Sequence, residues 1–91
     1  MKPRFIGVRP GTNRFVPDVP ARELSSQEPI LLTFDELEAL RLIDYQGLTQ
    51  EEAAIRMGIS RGTVWRCLDS ARKKVTAMLV ERRELIVGEG Y

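Results

Sequence analysis

The chain has 91 residues, and its 14 Lys and Arg against 13 Asp and Glu give a net charge of +1. This length predicts one domain with a modest core, which association with a second copy would enlarge. The sequence contains no histidine and one cysteine, which removes the commonest general base and any cysteine-based metal cluster. Catalysis by carboxylates alone remains open, but the acids occupy positions typical of helix caps and solvated faces.

No apolar run approaches the roughly 20 residues of a membrane span, and the first residues lack the pattern of a secretory signal. We therefore expect a cytoplasmic protein that does not enter a membrane, is not an enzyme, and uses no metal or other cofactor.

Charge is segregated along the chain. Residues 1–22 carry five basic side chains and one acid, residues 33–53 carry six acids and one arginine, and residues 60–76 carry five basic side chains and one acid. The three segments thus have net charges of +4, −5 and +4. This segregation favours a polyanion as the partner of the basic segments.

Residues 1–32 are predicted to form an extended, proline-rich basic arm. All five prolines lie within residues 1–29, and short strands are expected at RFIGV (4–8) and ILL (30–32). A disordered tail is the alternative, but four apolar side chains favour docking of the arm onto the rest of the chain: Phe5, Ile6, Phe15 and Val16. Three arginines of the arm are candidates for minor-groove contacts: Arg4, Arg9 and Arg14.

Residues 33–91 are predicted to form a mainly α domain. Two helices each begin with a Thr-x-x-Glu capping box and end at a glycine, namely Gly47 for the first and Gly58 for the second. In the first helix Leu37, Leu40 and either Ile43 or Asp44 follow at helical spacing. The spacing of the capping residues predicts a short second helix of about nine residues.

A long third helix is predicted after Ser60, a good N-cap residue. Its apolar residues recur at steps of three and four over about 24 residues, a length of about 36 Å, and LIVGEGY at the end predicts a short strand. The part around residues 75–85 is longer than packing on two short helices requires. We expect this surplus to contact a second subunit or to hold down the arm.

The second helix, the tight turn at residues 58–60 and the third helix together predict a helix-turn-helix within a three-helix core. Ala54 is small where the helices would cross, and Gly58 can adopt the left-handed conformation that ends a helix. The outer face of the second helix of such a motif enters the major groove of DNA. The predicted DNA-binding residues are Ser60, Arg61, Gly62, Thr63, Trp65, Arg66, Arg72 and Lys73.

Several of these residues have alternative roles. Arg61 is predicted to reach a guanine edge or a phosphate, Arg66 a phosphate or a base, and Ser60 and Thr63 the backbone phosphates. Ser60 also caps the helix without DNA. Gly62 fits either a close approach to the groove wall or simple tolerance of a weak first turn.

The remaining candidates are less specific. Trp65 lies on the exposed side of the helix, where it packs along a sugar-phosphate edge or against the arm. Arg72, Lys73 and Lys74 bind phosphates or form a solvated face. Cys67 is interpreted as a small core residue.

The segment LTFDELEALRLIDYQGLTQEEAAIRMGISRGTVWRCLDSARKKV resembles a small family of uncharacterised prokaryotic proteins described as predicted DNA-binding proteins. It is more distantly similar to region 4 of sigma-70-type transcription factors. The likeness covers about residues 32–90 and is strongest at LEALRL, GLTQEEAA, MGISRGT and SARKKV, with RFVP in the arm a weaker part. It implies a DNA-binding helix-turn-helix protein that regulates transcription.

Two functional hypotheses follow. The first is a homodimeric, sequence-specific regulator that binds double-stranded DNA. The second is a protein-interaction module, similar to sigma region 4, whose acidic first helix docks on RNA polymerase or another protein through Asp35, Glu36 and Glu38.

Overall fold

The computed structural model describes residues 13–88 as a mainly helical fold with a small sheet. Strand β1 spans Arg14–Phe15, and a 3₁₀ turn at Ala21–Glu23 leads to β2 at Ile30–Thr33. Helix α1 (Phe34–Ala39) continues as a π-helix over Leu40–Tyr45. Helices α2 (Gln50–Met57) and α3 (Arg61–Glu81) precede β3 at Leu85–Gly88. The strands predicted at residues 30–32 and in LIVGEGY are confirmed, whereas the one predicted at residues 4–8 lies outside the described residues.

The predicted helix caps are confirmed. The Thr33 N–H donates to Glu36 Oε1 (2.8 Å), and the Glu36 N–H donates to Thr33 Oγ1 (3.2 Å). Thr49 and Glu52 repeat this reciprocal pair at the start of α2, at 2.8 and 3.1 Å. Each box satisfies two N–H groups that a helix start leaves without a partner, so both starts are fixed locally.

The end of the first helix differs from a regular α-helix. The Gln46 N–H donates to the Arg41 carbonyl (2.9 Å), five residues back, which is the π-helical pattern. The helix stops at Gly47, whose φ of +82° is a left-handed conformation that glycine adopts without strain. The predicted stop is confirmed, but the turn before it is wider than expected.

The buried face of α1 differs in part from the expected one. Leu37 is 40% exposed, whereas Leu40 and Ile43 are partly buried against the core, and the buried positions are Glu36, Ala39 and Leu42. The expected stripe, which ends at Ile43 or Asp44, overlaps a second stripe that contains Glu36, and periodicity alone does not separate the two. The other stripe is buried because Lys74 and Ser70 of α3 hydrogen-bond the Glu36 carboxylate, and a buried charge is tolerated only with such partners.

The three strands form one sheet in the order β1-β3-β2. Strand β3 is central, antiparallel to β1 with Phe15 opposite Leu85, and parallel to β2 with Ile30 opposite Leu85. Helix α3 spans 21 residues rather than about 24, because the chain turns at Arg82 (φ 56°) and then enters the sheet as β3. The described part of the arm is thereby joined to the end of the chain.

Two clusters of buried side chains form the core. One joins the sheet to the middle of α3 and consists of Ile30, Leu32, Ala71, Leu85 and Val87. The other lies between the helices and consists of Leu42, Ala53, Ala54 and Val64. Helix α3 contributes to both, so it is the element that holds the sheet and the short helices together. Among the helices of residues 13–88, none combines the length and the apolar character of a membrane span.

Candidate nucleic-acid interface

The turn between α2 and α3 is tightly fixed. Gly58 adopts φ 68° and ψ 31°, and the next N–H, of Ile59, donates to the Ala54 carbonyl (3.2 Å). This left-handed ending is typical of a helix that stops at glycine. Ala53 and Val64 are both fully buried where the two helices pack. The predicted left-handed Gly58 is confirmed, and the start of α3 is held at a defined angle to α2.

The first turn of α3 carries a continuous chain of hydrogen bonds. Ser60 caps the helix, because its Oγ accepts from the Thr63 N–H (3.1 Å), and the two side-chain oxygens are 2.8 Å apart. Arg66 Nη2 then donates to Thr63 Oγ1 (3.1 Å). A Cβ built on Gly62 would be 3.9 Å from Arg66 Nη1, so the guanidinium lies close to this glycine on the exposed face.

Arg61 and Trp65 lie beside this chain of hydrogen bonds. Arg61 is exposed, and within residues 13–88 it makes neither an ion pair nor a hydrogen bond. Trp65 is 45% exposed and belongs to neither core cluster. The described part of the arm meets α3 at Ala71, through Ile30 and Leu32, at Lys74, which donates to the Leu31 carbonyl, and near Met78. Trp65 lies six or more residues before each of these positions and is not among the side chains packed on either cluster. Packing of Trp65 against the arm is therefore not seen for residues 13–32.

Arg72 and Lys73 lie farther along α3 and already contact carboxylates. Arg72 donates through Nε (3.0 Å) and Nη2 (2.7 Å) to the two oxygens of Asp44. This bidentate pair lowers the pKa of Asp44 and raises that of Arg72. Lys73 Nζ lies 3.2 Å from Asp69, one turn away, on a side chain that is 77% exposed. The cations at the start of the predicted site thus have no carboxylate partner within residues 13–88, whereas those farther along α3 are paired with carboxylates.

Lys74 connects α3 to two other elements of the fold. Its Nζ donates to Glu36 Oε1 (2.8 Å) and to the Leu31 carbonyl (2.7 Å), so it links α3 to α1 and β2. Burial alone would raise the pKa of Glu36, but the hydrogen bonds from Lys74, Ser70 and the Thr33 backbone together lower it below its ordinary value. Lys74 therefore stabilises a buried carboxylate instead of extending the exposed basic face.

The arginines at the sheet end of the molecule are also paired. Arg82 Nη1 donates to Glu23 Oε1 (2.7 Å), and Arg83 donates twice to the Glu28 carbonyl (3.0 and 2.6 Å). Arg14, a candidate for minor-groove contact, pairs with Glu84. Arg4 and Arg9 lie outside the described residues. Arg14, Arg82 and Arg83 therefore connect parts of the fold, whereas Arg22 has neither an ion pair nor a hydrogen bond within residues 13–88.

Cys67 is half-buried on α3. Burial raises the pKa of its thiol, and the nearby Asp35 and Glu36 carboxylates raise it further. A raised thiol pKa means little thiolate and low reactivity at neutral pH. Within residues 13–88 the Cys, Asp and Glu side chains form no group of three or more placed to hold a metal ion.

Sequence reasoning missed the role of the Glu36 carboxylate. The capping box identified Glu36 as a cap but did not reveal its bonds to Ser70 and Lys74, which are 34 and 38 residues away. No local pattern reports contacts at such separations. The sequence also did not indicate that the Tyr45 and Ile55 side chains are strongly exposed, at 86% and 80%.

Comparison with known proteins identifies the family. The family described as "Protein of unknown function DUF134" matches residues 1–91. A UPF0251 protein of Pyrococcus abyssi is 60% identical over 84 residues, which cover 92% of this chain and 76% of the relative. A UPF0251 protein of Thermococcus kodakarensis is 59% identical over 87 residues, or 96% of this chain and 76% of the relative.

A more divergent UPF0251 protein, of Methanococcus vannielii, is 46% identical over 89 residues, which cover 97% of this chain and 66% of the relative. No solved structure matches the chain. With its full length matched by the family and these relatives of high identity, the chain belongs to the DUF134 family, whose curated relatives are named UPF0251 proteins.

Proposed function

We propose that this protein binds double-stranded DNA sequence-specifically, with α2, the Gly58 turn and α3 acting as a helix-turn-helix, and that it regulates transcription. The observation that carries the proposal is the state of the cations along α3. Arg61 has no polar partner within residues 13–88, and Arg66 contacts only a neutral hydroxyl. Arg72, Lys73 and Lys74 all contact carboxylates. The positive charges of α3 that have no carboxylate partner are therefore concentrated at the start of the helix.

The start of α3 has the groups that a polyanion needs. A helix N-terminus carries a partial positive charge and N–H groups without helical partners, which favours phosphate. Ser60 and Thr63 add hydroxyls at this end. Arg61 is the residue we assign to base readout, because a guanidinium donates two parallel hydrogen bonds to a guanine edge in the major groove.

Arg66 and Trp65 have supporting roles in this proposal. The bond from Arg66 to Thr63 joins a guanidinium to a neutral oxygen, and charge-assisted bonds to phosphate are stronger. DNA therefore offers Arg66 a better acceptor than the one it uses in the free protein. The exposed Trp65 lies between the two arginines in sequence, and we assign it to packing along the sugar-phosphate edge.

Gly62 supports a close approach of DNA to the helix. Its Cβ position is open, since the nearest atom would be the Arg66 guanidinium at 3.9 Å. The fold would accept alanine there, and alanine favours a helix over glycine by up to about 1 kcal/mol. The folded protein thus gives no packing reason for glycine, whereas contact with a groove wall does.

We also propose that the protein acts by binding and not by catalysis, in the cytoplasm, without a cofactor, and as a homodimer. Arg72 and Lys73 remain secondary candidates for phosphate contacts. The bidentate pair with Asp44 must open before Arg72 can contact a phosphate through the same nitrogens.

A second candidate function is docking on RNA polymerase or another protein through the first helix. Glu36, one of the three acids expected to take part, is buried and bonded to Lys74, so Asp35 and Glu38 remain of that set. The observation that favours it is a shallow groove on α1 and the π-helix that exposes apolar surface, lined by Leu37, Leu40, Arg41, Asp44 and Tyr45. Exposed aromatic and aliphatic groups beside charges are typical of protein-binding surfaces. The two candidates use different faces and are compatible with each other.

Selection of bound DNA from a random-sequence pool tests the main proposal. We expect one enriched motif whose binding is weakened in Arg61→Ala and Arg66→Ala, each by about 1–3 kcal/mol if it makes a good base contact. Absence of binding even at low salt, where phosphate contacts are strongest, would refute DNA binding. Capture of RNA polymerase that depends on Tyr45 and Leu37 would then support the second candidate.

A further inference from the structure

The C-terminal half of α3 exposes a shallow groove on the side away from the sheet. It is lined by Arg72, Lys73, Thr76, Ala77, Val80 and Glu81. Val80 in its lining is 75% exposed. Val75 and Met78 pack against the sheet cluster, and Ala77, which also packs against that cluster, lies at the border between the groove and the sheet side. We propose that two copies of this chain associate through this groove, with their α3 helices antiparallel and crossing at Ala77.

The helix has the side chains that such a crossing needs. Lys73, Ala77 and Val80 follow one another at steps of four and three, so they lie along one stripe of α3. Ala77 is the smallest of these side chains, and small residues allow two helices to approach closely at their crossing point. Val80 supplies apolar surface next to it, which the second copy would remove from water.

The charges determine the direction of the second helix. A two-fold interface must be complementary to itself, so that each contact occurs twice. Lys73 lies four residues before Ala77 and Glu81 four residues after it. An antiparallel crossing therefore places Lys73 of one copy opposite Glu81 of the other, whereas a parallel one would place like charges together.

The present partners of these two charges are exposed and easily exchanged. Lys73 is 3.2 Å from Asp69, and Glu81 is 3.2 Å from Arg83, with side-chain exposures of 77% for Lys73 and 43% for Glu81. Exposed pairs of this kind contribute little to stability. Association would give each of these charges a second partner, from the other copy, at a site with less water around it. In this arrangement Lys73 of one copy contacts Glu81 of the other.

Sedimentation of the full chain without DNA tests the proposal independently of any DNA binding. We expect a species of twice the 10.4 kDa monomer mass at micromolar concentration. Val80→Asp should raise the dimer dissociation constant by about tenfold or more, since it places a charge in the apolar centre of the groove. Ile55→Asp is the matched control, because Ile55 is 80% exposed on α2, outside the groove, and we expect an unchanged mass.

Charge reversal tests the antiparallel geometry. Lys73→Glu and Glu81→Lys should each weaken the dimer, by roughly fivefold, because each places like charges opposite one another in both symmetric contacts. The double variant should restore the wild-type dissociation constant to within about twofold by the same logic. Circular dichroism of each variant checks that the fold is retained.

Three results would overturn the proposal. One is a 10.4 kDa monomer throughout the micromolar range, whether or not the protein binds DNA. Another is a dimer whose dissociation constant Val80→Asp leaves unchanged, or raises no more than Ile55→Asp does. The third is a folded double charge reversal that stays as weak as either single variant.

Discussion

The two ends of α3 are similarly basic but use their cations differently. At the start, Arg61 has no partner within residues 13–88 and Arg66 contacts the Thr63 hydroxyl. Toward the sheet, Lys74 contacts Glu36 and Arg82 contacts Glu23. The cations at the second end connect the helix to the arm and to α1, whereas those at the first end contact no other element among residues 13–88.

This difference shows that basic composition is a poor guide to a binding surface until the partners are known. An arginine bound to a carboxylate of its own protein must exchange that partner before it can bind a phosphate. An arginine without one gains a phosphate contact at lower cost, limited by the ordering of its side chain. We therefore assign polyanion binding to residues 60–66 and a structural role to the cations near the sheet.

The two adjacent lysines of α3 provide the largest expected contrast in stability. Lys74→Ala leaves the Glu36 carboxylate, 7% exposed, without its cationic partner. A buried charge that loses its partner is costly, and because Lys74 itself is partly exposed we expect a loss of about 2 kcal/mol. The free energy of unfolding, measured by urea denaturation at neutral pH, checks this value.

Lys73→Ala is the matched control, with both variants unfolded at a protein concentration at which the chain is monomeric, so that the proposed contact between copies does not contribute. Within residues 13–88 Lys73 contacts only Asp69, on a well-exposed stretch of the same helix, and an exposed pair one turn apart contributes about 0.3–0.5 kcal/mol. Equal losses of unfolding free energy in the two variants would mean that the Lys74–Glu36 contact does not stabilise the fold. The proposed difference between the two ends of α3 would then be wrong.

The Glu36 carboxylate predicts a dependence of stability on pH. Its pKa in the folded protein lies below its ordinary value of 4.5, so the folded state binds a proton less readily than the unfolded state does. The resulting stabilisation is fully present above pH 4.5 and is lost as the pH falls through the folded pKa. Thermal unfolding of wild type and Glu36→Gln between neutral and acidic pH measures this contribution.

We expect Glu36→Gln to be less stable than wild type near neutral pH and to lose less stability on acidification. Glu38, Asp44 and Glu52 also have lowered pKa values, so some acid sensitivity remains in the variant. Identical pH profiles for the two proteins would contradict the assignment of Glu36 as a structural carboxylate.

Gly62→Ala is expected to change the stability only slightly, and it separates folding from binding. The open Cβ position and the higher helix propensity of alanine predict an increase in stability of about 0.5–1 kcal/mol. If DNA approaches the helix closely there, affinity for the selected DNA should fall in the same variant. A stabilised protein with unchanged affinity would indicate that Gly62 does not face the groove.

Local signals in the sequence predicted much of the fold. Thr33, Thr49 and Ser60 were identified as helix caps, and Gly47 and Gly58 as helix ends, because capping and left-handed glycines depend on neighbouring residues only. The exposure of Trp65 followed from helical phase. These features needed no knowledge of distant contacts.

The sequence could not predict the features that depend on distant contacts. The burial of Glu36 requires Ser70 and Lys74 from another helix. The position of β3 between β1 and β2 joins segments about 55 to 70 residues apart. Distant contacts also determine which basic residues are paired with carboxylates and which are not. The sequence therefore predicted the candidate site as one surface, although its cations have different partners.

The central claim is tested most directly by comparing Arg61→Ala with Arg82→Ala in binding to the selected DNA. Each removes one exposed arginine and the same charge, at opposite ends of α3. We predict that Arg61→Ala weakens binding by about 1–3 kcal/mol and relaxes the preference at one base. Arg82→Ala should change affinity by less than about threefold, with only a general electrostatic effect. Equal losses in the two variants, with no change in sequence preference, would contradict the account.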